Sequence, residues 1–361
     1  MTTLEIPRPD PVRIGSLFDF PQRDGGAAFD AAIRLGLDEA TSVEGFDRDI
    51  EIVQEHVKGL PLGSEHDVVA GVRALDDAGV LAFSGPAVSD NGYIVAPLVD
   101  DVGISSINYT GGERTRSHFG FHYQIGSLEE EPPILAQRLA ARGLTRAAVV
   151  FEHSPVGRRY AEVFDRAHTG AGVDVTGTAA ITSLDPDVKP ALERLRRTEP
   201  DALVYLGLGY TSHAVAVALT DIGWDVPVVA NSSLMFGYMR PDWRDAWRGW
   251  EYLDGVADDN ERRKALAARA PNVAGSPVLC GAYDMGRLLG TAIARADHLT
   301  RDGVRESLER VKQLPATSGY EGTTMGFGVY DHAALKGQYL VLREWRDGET
   351  VQVTAERAAT K

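Results

Sequence analysis

Hydrophobic and polar residues alternate along this chain in a pattern that predicts strands and helices in regular succession. Residues 12–17 form an apolar run typical of a buried strand. Residues 25–40 follow with Phe29, Ile33 and Leu37 at four-residue spacing, which places these side chains on one face of a helix. The succession continues through a strand at 49–53, a helix at 64–77 that Ser64 can cap, an apolar run at 79–83 and a strand at 104–108. Such βαβ units predict a parallel sheet with helices on both faces.

A second series of the same kind follows. We predict helices at 130–142, 157–170, 187–198 and 212–222, and strands at 146–151, 173–181, 201–206 and 226–230. The two series indicate an α/β protein with two doubly wound halves, although no sequence repeat relates them. The carboxyl third differs, because helices at 278–296 and 301–311 precede two strands that flank Asp347-Gly348, at 338–345 and 349–353. That spacing predicts a β-hairpin.

The segment AFSGPAVSDNGY, residues 82–93, places small hydrogen-bonding residues directly after a predicted strand. Ser89, Asp90 and Asn91 lie where the next helix begins. In an open α/β sheet, ligands bind at the carboxyl ends of the strands, which makes this turn a candidate binding loop. The alternative is that the three side chains only cap the helix, which would explain all three locally.

Length and composition indicate a globular protein of two domains. The chain has 361 residues, of which 43% are hydrophobic and 25% charged. Its formal net charge of −15 argues against nucleic-acid binding, because an acidic surface repels phosphates. No apolar run is long enough to span a bilayer. The amino terminus lacks the pattern of a secretory signal, so we expect a cytoplasmic protein, or a periplasmic one whose leader has been removed.

Motifs for catalysis or cofactor binding are missing from the sequence. It contains no GxxxxGK[ST], GxGxxG, GxSxG or HExxH pattern. Cys280 lies in a predicted helix, where a small core residue is a better interpretation than a nucleophile. His118 and His122 are four residues apart, but Gly120 between them indicates an extended segment and disfavours a metal site. We therefore expect a binding protein without enzyme activity, cofactor or metal.

Six segments carry a further likeness: VRIGSLFDF, ALDDAGVLAFSGPAVS, DDVGISSINYT, RAAVVFEHSPVGRRYAEVF, EPDALVYLGLGYTSHAVAVALTDIGWDVPVVA and MGFGVYDHAALKGQYLVLREW. Their order and spacing, over residues 12–345, resemble the type I periplasmic-binding-protein fold, in particular the leucine/isoleucine/valine-binding family of ABC transporters. The resemblance implies two lobes joined by a three-strand hinge, with a ligand cleft between them that closes on the ligand. The first lobe would comprise residues 12–126 and 253–326, and the second residues 127–252 and 327–361.

The resemblance also implies where a ligand binds. In that family, the loops after the third and fourth strands hold a ligand carboxylate, which here indicates Ser89 and residues 110–112, and a helix N-terminus suits an anion. We therefore favour a double role for residues 89–91, as caps and as ligand contacts. The candidate ligand-binding residues are Phe18, Phe20, Ser89, Asp90, Tyr109, Thr110, His153, Gly209, Tyr210, Asn231, Ser232 and Phe236. For each aromatic residue among them, plain core packing is the open alternative.

Three positions depart from the family's amino-acid clamp. The carboxylate-binding threonine corresponds to Gly112, and the tyrosine that covers the ligand corresponds to Val156. The acidic residue that receives the ammonium group falls near Asn231 or Ser232. A buried ammonium without a carboxylate loses a charge-assisted hydrogen bond, so the ligand need not be leucine. Asp19 or Asp90 could substitute for the missing carboxylate.

One aromatic passage stands apart from the binding loops. Trp243, Trp247 and Trp250 have helical spacing, which predicts a short helix with one aromatic face. We favour packing of this helix against the second lobe over a role as a cleft lid or a partner-binding patch.

These observations favour a solute-binding protein of an ABC-type uptake system. It would capture a small organic ligand, amino-acid-like or another carboxylate or amide with an apolar body. The alternative is a cytoplasmic sensor of the same fold, similar to the amide-sensing regulator, that signals to a partner protein. The expected partners are the ligand itself and either an ABC permease or that regulatory protein.

Overall fold

The computed structural model describes residues 10–20, 24–123, 126–182 and 187–353. Its first part is a five-stranded parallel sheet in the order β2-β1-β3-β4-β5. The strands are β1 (Val12–Phe18), β2 (Ile50–His56), β3 (Ala82–Ser84), β4 (Ser105–Asn108) and β5 (Gly120–His122). The helices between them are α1 (Asp24–Glu44), α2 (Glu65–Asp77) and α3 (Ser89–Val102). The predicted N-cap of α2 is confirmed, because the Ser64 hydroxyl accepts a hydrogen bond from the Asp67 amide at 3.1 Å.

The second series builds a second sheet. Its strands are β6 (Arg146–Glu152), β7 (Asp174–Ile181), β8 (Ala202–Leu206), β9 (Val228–Ala230) and β10 (Glu251–Asp254). Its helices are α4 (Glu131–Ala141), α5 (Pro155–Ala167), α6 (Lys189–Arg196) and α7 (Ser212–Asp221). All neighbouring pairs among these five strands are parallel, as the alternation of strands and helices predicts.

The carboxyl third serves both sheets. It forms α8 (Glu261–Arg269), α9 (Pro271–Ala274), α10 (Pro277–Arg295), α11 (Arg301–Arg310) and a small sheet of β11 (Leu314–Pro315), β12 (Thr324–Met325) and β13 (Leu335–Lys336). These elements pack with the first sheet. The chain then returns to the second sheet as β14 (Val341–Arg346) and β15 (Glu349–Gln352), so that its order is β15-β14-β10-β9-β8-β6-β7.

The predicted hairpin is confirmed at β14 and β15, which pair antiparallel. Asp347 and Gly348 at its turn have φ angles of +51° and +78°. A two-residue turn with positive φ at both positions has the twist that matches the flanking strands. Strand β14 also pairs antiparallel with β10. The second sheet is therefore antiparallel at this edge and parallel elsewhere.

Four hydrophobic cores cover the two faces of each sheet. On the first sheet, Ile14 and Phe18 of β1 face α1 and α10, whereas Leu17 faces α2 and α3. The second sheet has the same arrangement with a core on each side. The molecule therefore consists of two lobes, each with a sheet between two layers of helices. Among the described residues, no helix combines the length and apolar character needed to cross a membrane.

The exact division between the lobes stays a proposal. The family resemblance implies that the chain crosses from one lobe to the other at residues 126/127, 252/253 and 326/327. However, β10 keeps the chain in the second sheet as far as Asp254, and Phe327 and Tyr339 belong to the core between the first sheet and α10. This packing favours a later second crossing, just after Asp254, and a third crossing near residue 340.

The tryptophan passage is not an α-helix. Residues Pro241–Trp247 form a 3₁₀ helix that ends before Trp250, which corrects the predicted helical face. Trp247 and Trp250 are buried in a core of the second sheet, together with Trp345 of β14. The side chains therefore pack against the second lobe, in agreement with the favoured interpretation.

Helices α1 and α10 pack with their backbones in close contact, and this contact depends on glycine. A Cβ atom on Gly286 would lie 2.1 Å from the carbonyl oxygen of Ile33, and one on Gly36 would lie 1.9 Å from that of Tyr283. Real Cβ atoms do not approach backbone that closely, so any side chain there forces the two helices apart.

We predict that Gly286→Ala lowers the free energy of unfolding by about 3 kcal/mol, because the overpacked helices must separate. Gly170→Ala is the matched control, since a Cβ at Gly170 meets nothing within 4 Å. Urea unfolding of both variants measures the effect. Equal stabilities for the two variants would show that the α1–α10 contact tolerates a methyl group and would contradict the prediction.

Candidate ligand-binding cleft

The carboxyl ends of the strands in both sheets meet around one cavity, whose empty space, including its opening to solvent, is about 600 Å³. From the first lobe, the lining comprises Phe20, Ala87, Val88, Ser89, Gly111 and Val278; from the second, it comprises Val156, Tyr160, Gly207, Leu208, Tyr210, Asn231, Ser232, Ser233, Met235, Phe236 and Met239. Most of these residues follow β1, β3, β4, β6, β8 or β9 directly. The position agrees with the general rule that ligands bind at the carboxyl ends of parallel strands.

The cavity wall is mostly apolar and aromatic. Phe236 packs edge-on against Tyr210 with ring centroids 5.1 Å apart, and it is stacked on Trp243 behind it. Phe20 contacts Phe18 at 5.6 Å in the first lobe. None of the described residues that line the cavity carries a formal charge. Such a wall suits a ligand with an apolar body.

The Tyr210 hydroxyl is a polar group of the wall without a partner. Its oxygen is buried, and it makes no hydrogen bond within the described part of the chain. Burial raises the pKa of Tyr210 far above its ordinary value, so the hydroxyl keeps its proton. A buried hydroxyl without a partner costs free energy, and a ligand acceptor at this position would remove that cost.

A buried carboxyl group orders the start of α3. Asp19, directly after β1, accepts hydrogen bonds from the amides of Ala87 at 2.7 Å and Val88 at 3.1 Å, and from the Asn91 side chain at 2.8 Å. The N-cap residue of α3 is Val88, which makes no side-chain cap. The interpretation of Ser89, Asp90 and Asn91 as caps of this helix is therefore wrong, because Asp19 from another loop satisfies the amides that they would have bound.

The three polar residues instead join separate loops. The Ser89 hydroxyl accepts a bond from the Gly111 amide at 3.3 Å, and the Asn91 carboxamide accepts one from the Leu60 amide at 2.8 Å. Asp90 reaches across the cleft and accepts a bond from the Val156 amide, at the start of α5, at 3.0 Å. This contact links the two lobes directly, so the cleft is in a closed arrangement.

Two further buried carboxyl groups accept hydrogen bonds from loop residues in the second lobe. Glu131 accepts bonds from the Ser232 amide at 2.6 Å and the Tyr160 hydroxyl at 2.7 Å. Glu152, at the end of β6, accepts bonds from the amides of Leu208 at 2.6 Å and Thr211 at 2.8 Å. Each of these carboxyl groups lies behind the cavity wall and is bonded to residues that form it.

Burial changes the protonation of three of these groups. Desolvation raises the pKa of Asp19 to about 6 and that of Asp90 to about 6, although backbone N–H donors oppose the change. Desolvation likewise raises the pKa of Glu131 to about 7. The charged forms are therefore less stable here than in water, and the protein holds them by hydrogen bonds alone.

Six residues of the predicted site lie on the cavity wall, namely Phe20, Ser89, Tyr210, Asn231, Ser232 and Phe236. Another six are not among its lining residues, namely Phe18, Asp90, Tyr109, Thr110, His153 and Gly209. Six of the predicted residues are therefore in a position to contact a ligand, and six are not. Their role as ligand contacts stays a prediction.

The second set has other contacts. Phe18 and Tyr109 belong to the core between the first sheet and α10. The Thr110 hydroxyl donates to the Asn108 side chain, and the exposed His153 contacts Arg158. Gly209 has a φ of +103°, and a Cβ there would lie 2.6 Å from the Ser233 carbonyl oxygen. This glycine lets the loop after β8 pack closely on the loop after β9.

The positions that depart from the family's clamp lie in or beside the cavity. Val156, Asn231 and Ser232 line the cavity. Gly112 does not, and on the loop after β4 the lining residue is Gly111.

Sequence reasoning missed Tyr160, which lies one helical turn after Val156 and could have been found from that spacing. It also missed Val278, at the start of α10, for which no local signal exists because this residue comes from a distant part of the chain.

Among the described residues, no group of three or more His, Cys, Asp or Glu side chains is arranged to hold a metal ion.

Two lobes that close over an apolar cavity define a two-lobed ligand-binding protein. Residues 11–348 match the model of the periplasmic binding protein family, and the chain belongs to that family. The resemblance to the type I periplasmic-binding-protein fold is thereby confirmed. No curated protein sequence matches the chain.

Solved structures with the same fold are distant in sequence. A type 1 periplasmic binding protein from Bordetella pertussis Tohama I is 16% identical with a TM-score of 0.82, over 95% of this chain and 100% of the other. The branched-chain amino acid transporter substrate-binding protein LivJ from Streptococcus pneumoniae, in complex with isoleucine, is 17% identical with a TM-score of 0.80 over the same shares. The leucine-binding protein LivK from Thermotoga maritima is 16% identical with a TM-score of 0.81, over 95% and 98%.

We predict that Asp90→Asn removes a pH dependence from the stability of the protein. Since the pKa of Asp90 is raised from 3.8 to about 6, the folded protein binds this proton more tightly than the unfolded chain does. Its contribution is largest below about pH 4 and is lost as the pH rises toward about 6. The stability of the wild type minus that of the variant should therefore fall by up to about 3 kcal/mol between those values.

Chemical unfolding of both proteins between pH 4.5 and 7.5 measures this difference. Burial lowers the pKa of His122 to about 3, which has the opposite effect on stability, but it acts in both proteins and cancels in the difference. Parallel stability curves for wild type and variant would contradict the prediction.

Proposed function

We propose that this protein is the solute-binding component of an ABC-type uptake system and that it captures a small organic molecule with an apolar body. The observation that carries the proposal is the cavity between the lobes, whose apolar wall leaves the Tyr210 hydroxyl without a partner. A ligand there would bury its apolar body against Phe20, Phe236 and the two methionines and would place a hydrogen-bond acceptor at Tyr210.

The proposed role has consequences for partner and location. A permease that recognises the closed lobes would receive the ligand, and the protein would act outside the cytoplasm. The cytoplasmic sensor considered in the sequence analysis remains the alternative, and no contact in the described residues favours it over uptake.

A thermal-shift screen tests the proposal. The panel sets leucine, isoleucine and valine beside apolar carboxylates, amides and alcohols, with hexose sugars of similar size as the control. We expect at least one apolar compound to stabilise the protein, by about 2.7 kcal/mol at a concentration one hundred times its dissociation constant. Stabilisation by sugars alone would contradict the apolar site. So would the absence of any shift, together with no small molecule released from the denatured protein in mass spectrometry.

Tyr210→Phe should separate ligand binding from stability. Removing an unpaired buried hydroxyl leaves the ligand-free protein as stable as the wild type or about 1 kcal/mol more stable. The same change should lower the affinity for a stabilising ligand by about tenfold, because the ligand's acceptor atom loses the hydrogen bond from the hydroxyl group. Calorimetric titration and urea unfolding measure the two effects.

The matched control is Tyr252→Phe, whose hydroxyl bonds to Thr350 at 2.8 Å in the second sheet. That variant should lose stability and keep its ligand affinity. Unchanged affinity in Tyr210→Phe would show that the hydroxyl does not contact the ligand.

A further inference from the structure

We propose that four buried carboxyl groups behind the cavity wall make this cleft select uncharged ligands over carboxylates. The inference rests on the proposed function, since it concerns the ligand of the same cavity. It goes further by assigning selectivity to Asp19, Asp90, Glu131 and Glu152, which do not line the cavity but bond to the residues that do.

An anionic ligand at the carboxyl edge of a parallel sheet is usually held by backbone N–H groups at helix starts. In this cleft, several of those N–H groups already donate to carboxyl groups of the protein. The amides of Ala87 and Val88 donate to Asp19, that of Val156 to Asp90, that of Leu208 to Glu152 and that of Ser232 to Glu131.

Other wall amides are also occupied. The Gly111 amide donates to the Ser89 hydroxyl at 3.3 Å, and the Gly207 amide donates to the Asn231 carboxamide at 3.1 Å. A ligand carboxylate that bound to these amides would have to displace a carboxyl group of the protein from its own donors. That exchange would leave one of the two anions unsatisfied in a buried site.

The charge of these carboxyl groups also opposes a ligand carboxylate. All four carboxyl groups are buried, with at most 5% of the residue exposed. No described Lys, Arg or His side chain forms an ion pair with any of them. Their negative charge is therefore not cancelled locally, and it acts on the cavity through a medium of low dielectric constant. A carboxylate in the cavity would be repelled from both lobes.

The same negative charge would attract a cation, but a cation gains no direct ion pair in the cavity. The carboxylate oxygens accept hydrogen bonds from protein donors, and no charged residue lines the cavity. An ammonium group would lose its water without gaining a carboxylate neighbour. An uncharged ligand avoids both costs and still satisfies the Tyr210 hydroxyl.

Matched ligands that differ only in charge test the proposal. One set is 4-methylpentanamide, 4-methylpentanoate and 4-methylpentan-1-amine; a second set is 3-phenylpropanamide, 3-phenylpropanoate and 3-phenylpropan-1-amine. Calorimetric titration at pH 7.5 gives a dissociation constant for each. We expect the amide to bind at least about tenfold more tightly than the carboxylate of its set.

Two variants test the assigned residues. Asp90→Asn removes the charge and keeps a carbonyl oxygen that can accept the Val156 N–H bond. Glu131→Gln also removes the charge, but it keeps an acceptor for only one of the two amides, Ser127 and Ser232, that Glu131 holds. In either variant, the preference for amide over carboxylate should fall by at least about fivefold. Glu51→Gln, at the exposed edge strand β2, removes one negative charge far from the wall and should leave the preference unchanged.

The outcomes distinguish the two proposals. If a carboxylate binds as tightly as its amide, the selectivity proposal is wrong while the proposed function stands. A preference that both charge-removing variants retain would also overturn the assignment to these carboxyl groups. If no member of either set binds, the proposed function fails and the selectivity inference fails with it.

Discussion

Hydrogen bonds from backbone amides to buried carboxyl groups hold the cleft of this protein together. Each strand that ends at the cleft passes into a loop whose N–H groups have left the sheet and cannot reach water. Such groups must find acceptors, because an unpaired buried amide is as costly as a lost hydrogen bond. Asp19 and Glu152 supply acceptors within one lobe each, and Asp90 supplies one between lobes. The positions of the binding loops therefore depend on these side chains.

This solution has an electrostatic cost that shapes the site. A carboxyl group holds several donors at once, but burying it disfavours its charged form, as the raised pKa values of Asp19 and Glu131 indicate. These carboxyl groups lie behind the cavity wall, and the wall itself is uncharged and mostly apolar. Several backbone amides that could have held an anionic ligand donate to these carboxyl groups and so hold the loops.

Much of the fold could be predicted from the sequence, because hydrophobic periodicity reports which face of an element is buried. The α1 pattern at Phe29, Ile33 and Leu37 and the Asp347-Gly348 hairpin are local signals, and both correspond to the structure. The failures have a common physical reason. Ser89 to Asn91 look like caps because caps are local, whereas the acceptor that α3 uses is Asp19, about seventy positions earlier. Val278 reaches the cavity only because α10 packs on α1, which no window of sequence can show.

The contacts across the cleft also indicate how a ligand would favour closure. Asp90 bonds to the Val156 amide only when the lobes meet, and it pays for that bond by losing water. Arg159 of α5 lies 3.0 Å from Glu113 of the first lobe, but Glu113 is half exposed, and such pairs contribute little net stability. These two polar contacts therefore add little net stability to the closed arrangement. An apolar ligand in the cavity would add dispersion contacts with the walls of both lobes. A ligand that makes such contacts only when the lobes meet has the differential affinity that shifts them toward the closed arrangement.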